Sequence, residues 1–243
     1  MNLHSNSLFH FTRKEHLINI LSNIFIPHYC KERLSISDSP FDYRVPMVSF
    51  CDIPLSYVQD HIVEYGKYAI GLNREWVNRN KLNPVLYYRE CSVFFKKYHH
   101  LLKSMMDNVK NAFPADSTPL SEYYETKYLF TFFKPYEGFD FKTNTEKIFF
   151  DEREWRYVPD DLLDDNYMIP DGDERLQIMQ KTVEQKKLSF EPKDVSYIII
   201  EKEDERLEIA STIRGIKGKK YSHNDVETLV TKIISSEQIL NDM

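Results

Sequence analysis

Residues 7–21 read SLFHFTRKEHLINIL. Ser7–Phe11 is a short apolar run. Thr12, followed three residues later by Glu15, has the spacing of a capping box, in which a hydroxyl and a carboxylate satisfy the free amides of a helix's first turn. Leu17, Ile18 and Leu21 then share one helical face, so Thr12–Ser22 is expected to take a strand through a cap into a helix. Strand alternation points His10 away from both Phe9 and Phe11. A histidine so placed either donates a hydrogen bond to a ligand hydroxyl or is a half-buried structural group bonded to a backbone carbonyl.

A second unit of the same kind follows. Val45–Cys51 predicts a strand, preceded by the turn-rich Ser37–Tyr43. Asp52 and Pro54 open a helix whose Leu55, Val58, Ile62 and Tyr65 repeat at helical spacing, and Gly66 can end it. Ser49 alternates with Val48 and Phe50, so its hydroxyl faces a cleft or a half-solvated sheet surface. Tyr68–Leu72 and Pro84–Tyr88 read as strands on either side of a short helix around Trp76. Glu90–Phe113 predicts an amphipathic helix packing through Phe94, Tyr98, Leu101, Met105 and Val109, and Ser121–Phe133 a second. Strand returns at Lys147–Val158, an acidic loop passes into helix over Asp160–Gln185, and Val195–Glu201 is a β-branched strand. Asp204–Ile213 reads as helix and Leu229–Ile234 as a last strand. Strands scattered in this way, without regular crossovers, predict an α+β fold. One domain over residues 1–243 is expected, with a helical insertion at about 90–135.

Composition narrows the function classes. A net charge of −6 argues against broad capture of nucleic acid, which needs clustered lysine and arginine. The local strip Lys217, Lys219 and Lys220 reads as a solvated turn around Gly215 and Gly218, with contact to a phosphate as the alternative. The 16 tyrosines and 16 phenylalanines supply core, and such rings also line sites for flat ligands. Cys30, Cys51 and Cys91 form no CxxC, so neither a disulfide framework nor a cysteine zinc site is indicated, and no metal is expected. No apolar run reaches the roughly 20 residues a bilayer needs, and MNLHSNSLFHFT does not read as a signal peptide. A cytoplasmic chain with no membrane partner is the expectation.

FFDEREWRYV, at residues 149–158, carries the densest chemistry. Alternation places Glu152, Glu154 and Arg156 on one face, with Asp151, Arg153, Trp155 and Tyr157 on the other. Two carboxylates so spaced lie roughly 7 Å apart and suit the stabilisation of a developing oxocarbenium cation. The alternative is a solvent-facing charged strand neutralised by Arg153 and Arg156.

These segments together carry a resemblance. LFHFTRKEHLINIL, MVSFCDIP and EREWR resemble, in order, the three motifs of ADP-ribosyltransferases of the diphtheria-toxin and poly-ADP-ribose-polymerase type. Glu152-Arg153-Glu154 matches their E-x-E form, whereas Ser49 lacks the adjacent S-T-S pattern of E-x-E enzymes. VPMVSFCDIPLSYVQDHIVEYGKYAIGL, residues 45–72, is similar to the AbiGi family of abortive phage-resistance proteins, which carries an antitoxin label. The resemblance implies an ADP-ribosyltransferase-like split β-sheet core and NAD+ as substrate. It implies that His10 bonds the ribose of the nicotinamide half and that Ser49 shapes the nicotinamide pocket. Glu154 would bond the ribose 2′-hydroxyl and stabilise the cation, and Glu152 would help activate the acceptor. Tyr65, Tyr68 or Trp155 would stack on nicotinamide. Two functions follow from the resemblance: a transferase effector modifying a protein or nucleic acid, or a non-catalytic antitoxin-like component. Either would have a cognate toxin or antitoxin from the same operon as a possible partner.

Overall fold

The computed structural model describes residues 5–36, 39–112, 118–140, 143–162 and 167–242. Its first strand, β1 (Ser7–Thr12), is apolar on both faces, as an interior strand must be. Leu8 packs into the core on one face of the sheet and Phe9 and Phe11 into that on the other. His10 follows the Leu8 side, its ring against Phe25 and Phe50, as period-two alternation predicts. Helix α1 (Lys14–Asn23) buries Leu17, Ile20 and Leu21. The expected capping box is not formed. Thr12 is still strand, paired with Tyr68, and the helix is entered through Arg13 without a side-chain cap.

β2 (His28–Ile36) and β3 (Ser39–Cys51) form a long antiparallel ladder. Most of Ser37–Tyr43, expected as turn, is therefore strand, and residues 37 and 38 lie outside the described residues. A single 3₁₀ turn at Leu55–Tyr57 precedes α2 (Gln59–Tyr65), so the helix begins later than Asp52 and Pro54 imply. Val58 and Ile62 are buried as their spacing predicts. Gly66 ends α2 with φ 122°, and a Cβ there would lie 2.2 Å from the Thr12 carbonyl oxygen. Only glycine meets both conditions. β4 (Tyr68–Asn73) then pairs with the whole of β1, and the Asn73 side chain caps α3 (Arg74–Arg79) by accepting the Trp76 N–H.

Short strands β5 (Asn83–Pro84) and β6 (Leu86–Tyr88) lead to the helices α4 (Val93–Ala112) and α5 (Thr118–Phe130). The buried face of α4 is turned from the expected stripe: Phe95 is buried, whereas Phe94 and Leu101 are largely exposed. Phe113 and the side chains of Met105 and Val109 lie outside the described residues. α5 stops before Phe133, which instead begins β7 (Phe133–Pro135), parallel to β6. β8 (Gly138–Asp140) and β9 (Thr145–Lys147) form a small hairpin.

The strand expected over Lys147–Val158 is interrupted. Phe149–Glu152 is a 3₁₀ turn, Arg153 takes the left-handed conformation at φ 44°, and only then does β10 (Glu154–Tyr157) begin. β11 (Ile169–Pro170) pairs with β3, and α6 (Leu176–Val183) follows. The chain closes with β12 (Val195–Ile200), α7 (Arg206–Lys217), α8 (His223–Val230), β13 (Ile233–Ser235) and α9 (Ser236–Asp242). The last strand thus starts at Ile233, because Leu229 is buried on α8. Lys217 is no solvated turn residue: it is buried at the end of α7, its Nζ 4.5 Å from the centre of the Phe190 ring.

The main sheet runs β13-β12-β4-β1-β3-β10-β5, with β2 and β11 also on β3. The β12–β13 pair is parallel and the others antiparallel, which makes this a mixed sheet in an α+β chain. α1, α3, α7 and α8 pack on one face, and α2 and α9 on the other. Each fully buried Leu or Ile in these layers contributes about 1.5–3 kcal/mol. Gly66→Ala is expected to destabilise the fold by about 2 kcal/mol, from the left-handed strain and the Thr12 clash. The midpoint of chemical denaturation reads this, and an unchanged midpoint would show that the α2–β4 turn relaxes freely.

Candidate functional site

β3 pairs with β2 up to Met47 but with β1 only at Cys51, opposite Phe9. Beside the stretch in between lies a cavity of about 370 Å³, a volume suited to a small molecule. β1 contributes Phe9, His10 and Phe11, β3 contributes Met47 and Ser49–Cys51, and β2 contributes Cys30–Glu32. His61 and Tyr65 of α2, Lys134 of β7, Glu152 and Glu154 complete the wall.

His10 Nδ1 lies 2.8 Å from the Ser49 carbonyl oxygen. A carbonyl accepts only, so Nδ1 carries the proton and donates. Burial pushes the His10 pKa below its ordinary value, against the raising effect of this bond. The ring is therefore a neutral tautomer whose Nε2 is an acceptor. His10 is thus bonded to a carbonyl and also lines a cavity, but its one N–H is committed to Ser49, so it can offer a ligand hydroxyl an acceptor and not the donor expected from the sequence.

The carboxylates arrive by different routes. β10 runs beside β3 with Glu154 opposite Cys51 and Arg156 opposite Ser49. Glu154 Oε1 accepts from Arg156 Nε at 2.7 Å, and its Oε2 from Lys134 Nζ at 2.6 Å. Glu152 reaches the same place from the 3₁₀ turn, so the pair shares a side without sharing a strand. It accepts from Lys134 Nζ, from Lys147 Nζ at 2.7 Å and from the Tyr65 hydroxyl at 2.5 Å. Arg156 is 0% exposed and also donates to the Thr131 carbonyl at 2.5 Å and to Glu32 at 3.0 Å. It is therefore a buried hub, not the surface neutraliser expected. Arg153, expected in the same role, lies over the Phe150 ring instead.

Burial alone would raise both carboxyl pKa values. The adjacent cations outweigh it: Arg156 and Lys134 hold Glu154 below the usual carboxylate range, and Lys134 and Lys147 bring Glu152 down to about 2. Burial works against the charge on Lys134, but Glu154, Glu152 and Glu32 keep it ionised. For Glu32 burial prevails, and its pKa is raised despite Arg156.

Five predicted site residues meet at this cavity: His10, Ser49, Tyr65, Glu152 and Glu154. Tyr68 does not. Its hydroxyl donates to Glu205 at 2.7 Å, and its ring packs in the core beneath α1 and α7. Trp155 also lies elsewhere, with the Arg74 guanidinium 5.3 Å above its ring. Sequence reasoning passed over Lys134, Glu32 and His61. For Lys134 the available hint was its place in FFKPY, where flanking aromatics imply burial. Among the described residues no His, Cys, Asp and Glu side chains gather as a metal-binding group, and no helix is long and apolar enough to cross a membrane.

Residues 23–201 match a family described as "Putative abortive phage resistance protein AbiGi, antitoxin". The chain belongs to the AbiGi family. It is also 26% identical over 250 residues to the abortive phage resistance protein AbiGi of Lactococcus lactis subsp. cremoris, across 90% of this chain and 99% of that protein. No solved structure matches. The AbiGi match spans Ser49, Tyr65, Lys134, Glu152, Glu154 and Arg156 but begins after His10.

Lys134→Met would leave two buried carboxylates undercompensated, at a cost of about 3–5 kcal/mol at pH 7. In the native chain the Glu152 contribution is present above its ordinary pKa of 4.5 and is lost as pH falls towards about 2. Without Lys134 the carboxyl pKa values rise in the folded state, so the variant's deficit should shrink between pH 7 and pH 5. Denaturation midpoints at both pH values measure this, and an equal deficit at both would contradict it.

Proposed function

We propose that the chain acts in phage defence as an antitoxin-type component that binds a partner toxin, without catalysing a reaction. The AbiGi match, with its antitoxin description over residues 23–201, carries this reading. The geometry supports it. Each carboxylate oxygen of Glu152 and Glu154 already accepts from Lys134, Lys147, Arg156 or Tyr65. A ligand hydroxyl seeking Glu154 would compete with two buried cations for the same lone pairs. Expressed alone, the chain should leave growth unaffected, and it should restore growth when co-expressed with the toxic product of the neighbouring gene. Growth arrest by the chain alone, relieved by Glu154→Gln, would contradict this.

A second reading, an ADP-ribosyltransferase using NAD+, is favoured by the meeting of His10, Ser49, Tyr65, Glu152 and Glu154 at one cavity beside an opening in the sheet. The residues fit the nicotinamide-ribose half of NAD+. The neutral His10 can accept from a ribose hydroxyl, Tyr65 offers an aromatic wall, and the Glu154 anion suits a developing cation. The acceptor, on this reading, is a protein or a nucleic acid. Purified chain would then release nicotinamide from NAD+ and Glu154→Gln would not. An absence of release from the native chain removes this reading.

A further inference from the structure

A second cavity, of about 480 Å³, adjoins the first, and His61 and Glu152 belong to the walls of both. Its wall holds five carboxylates, Asp60, Glu64, Glu146, Asp151 and Glu152, against two cations, Lys147 and Arg153, a formal excess of three negative charges. Lys147 is occupied by Glu64 and Glu152, and the Arg153 guanidinium lies over Phe150. Asp60, Glu146 and Asp151 are exposed and make no ion pair with another described residue. Such a concave, one-signed surface attracts a cation.

His61 supplies an independent sign of a ligand. It is 8% exposed, stands on the wall shared by the two cavities with the Glu152 backbone beside it, and its buried Nε2 has no hydrogen-bond partner among the described residues. Burial, the larger influence, pushes its pKa below the ordinary value, which keeps the ring neutral. With the ring proton on the nitrogen beside the Glu152 backbone, Nε2 offers a lone pair. An unmet buried acceptor normally has a donor in the working state of a protein.

The occupant must therefore be cationic and rich in N–H donors. A metal ion suits poorly, because no His, Cys, Asp and Glu side chains among the described residues come together as a metal-binding group. An ammonium group is a strongly hydrated point charge, whereas a guanidinium spreads several donors in one plane and stacks on rings. Tyr57, 48% exposed, and Ile148, 46% exposed, stand in the same wall and offer the apolar surface that a guanidinium and its stem cover. We propose that this second cavity receives an arginine side chain presented by a partner protein. The site deepens the partner-binding reading and rests on it for the partner being a protein.

The test uses two small probes on the full chain, N-acetyl-arginine amide and its uncharged isostere N-acetyl-citrulline amide, followed by NMR. The arginine probe should shift the His61 ring signals and the amides of Lys147 and Arg153 saturably. A double variant, Glu146→Gln with Asp151→Asn, exchanges exposed carboxylates for amides and should weaken that binding by at least about ten-fold. No saturable shift, equal binding of the citrulline probe, or full affinity in the double variant would each overturn the site. Failure of growth rescue overturns the partner-binding reading instead, whatever the arginine probe does, so the two failures are distinguishable.

Discussion

The Arg156 guanidinium is fully buried, and the arrangement around the cavity depends on how its charge is met. A buried cation is tolerated only when it is paired and its donors are satisfied. Glu154 takes Nε, Glu32 takes Nη2, and the Thr131 carbonyl takes Nη1. Three parts of the chain are thereby tied together: β10, β2 and the segment that leaves α5. Lys134, three residues beyond Thr131, adds a second cation that bridges Glu154 and Glu152. The segment leaving the helical pair α4–α5 thus completes the charge balance of a cavity built on the sheet.

The same network gives each group at the cavity its chemical state. Glu154 and Glu152 are anions because cations outweigh the cost of burial. His10 and His61 are neutral because nothing comparable offsets burial for them. The cavity wall therefore combines fixed anions with imidazole lone pairs, and its strongest donors are already engaged within the chain. Such a wall is stable without a guest.

Much of this was readable from spacing. Period two gave the sides of Leu8, Phe9, His10 and Phe11, and the spacing of Val58 and Ile62 gave the buried face of α2. Ser49 and Glu154 come together because adjacent antiparallel strands carry them. Other features have no local signal. HYCKERLSI contains three consecutive charges, so β2 does not look like a strand, yet Glu32 is needed beside Arg156. Alternation says that Glu154 and Arg156 share a face but not that the face is buried. The left-handed Arg153 is a non-glycine residue, and nothing in EREWR announces the break that brings Glu152 in from a turn. Tyr68 and Trp155 were candidates on aromatic character alone, and each found a partner away from the cavity.

Buried Arg156 and Lys134 hold Glu154 as an anion at the cavity wall. Carbon-13 NMR of the side-chain carboxyl groups, with the Glu154 signal assigned through Glu154→Gln, measures this directly. Glu154 is expected to titrate below the ordinary glutamate value of 4.5. A midpoint at or above that value would contradict this and show that burial, and not the cations, governs the group.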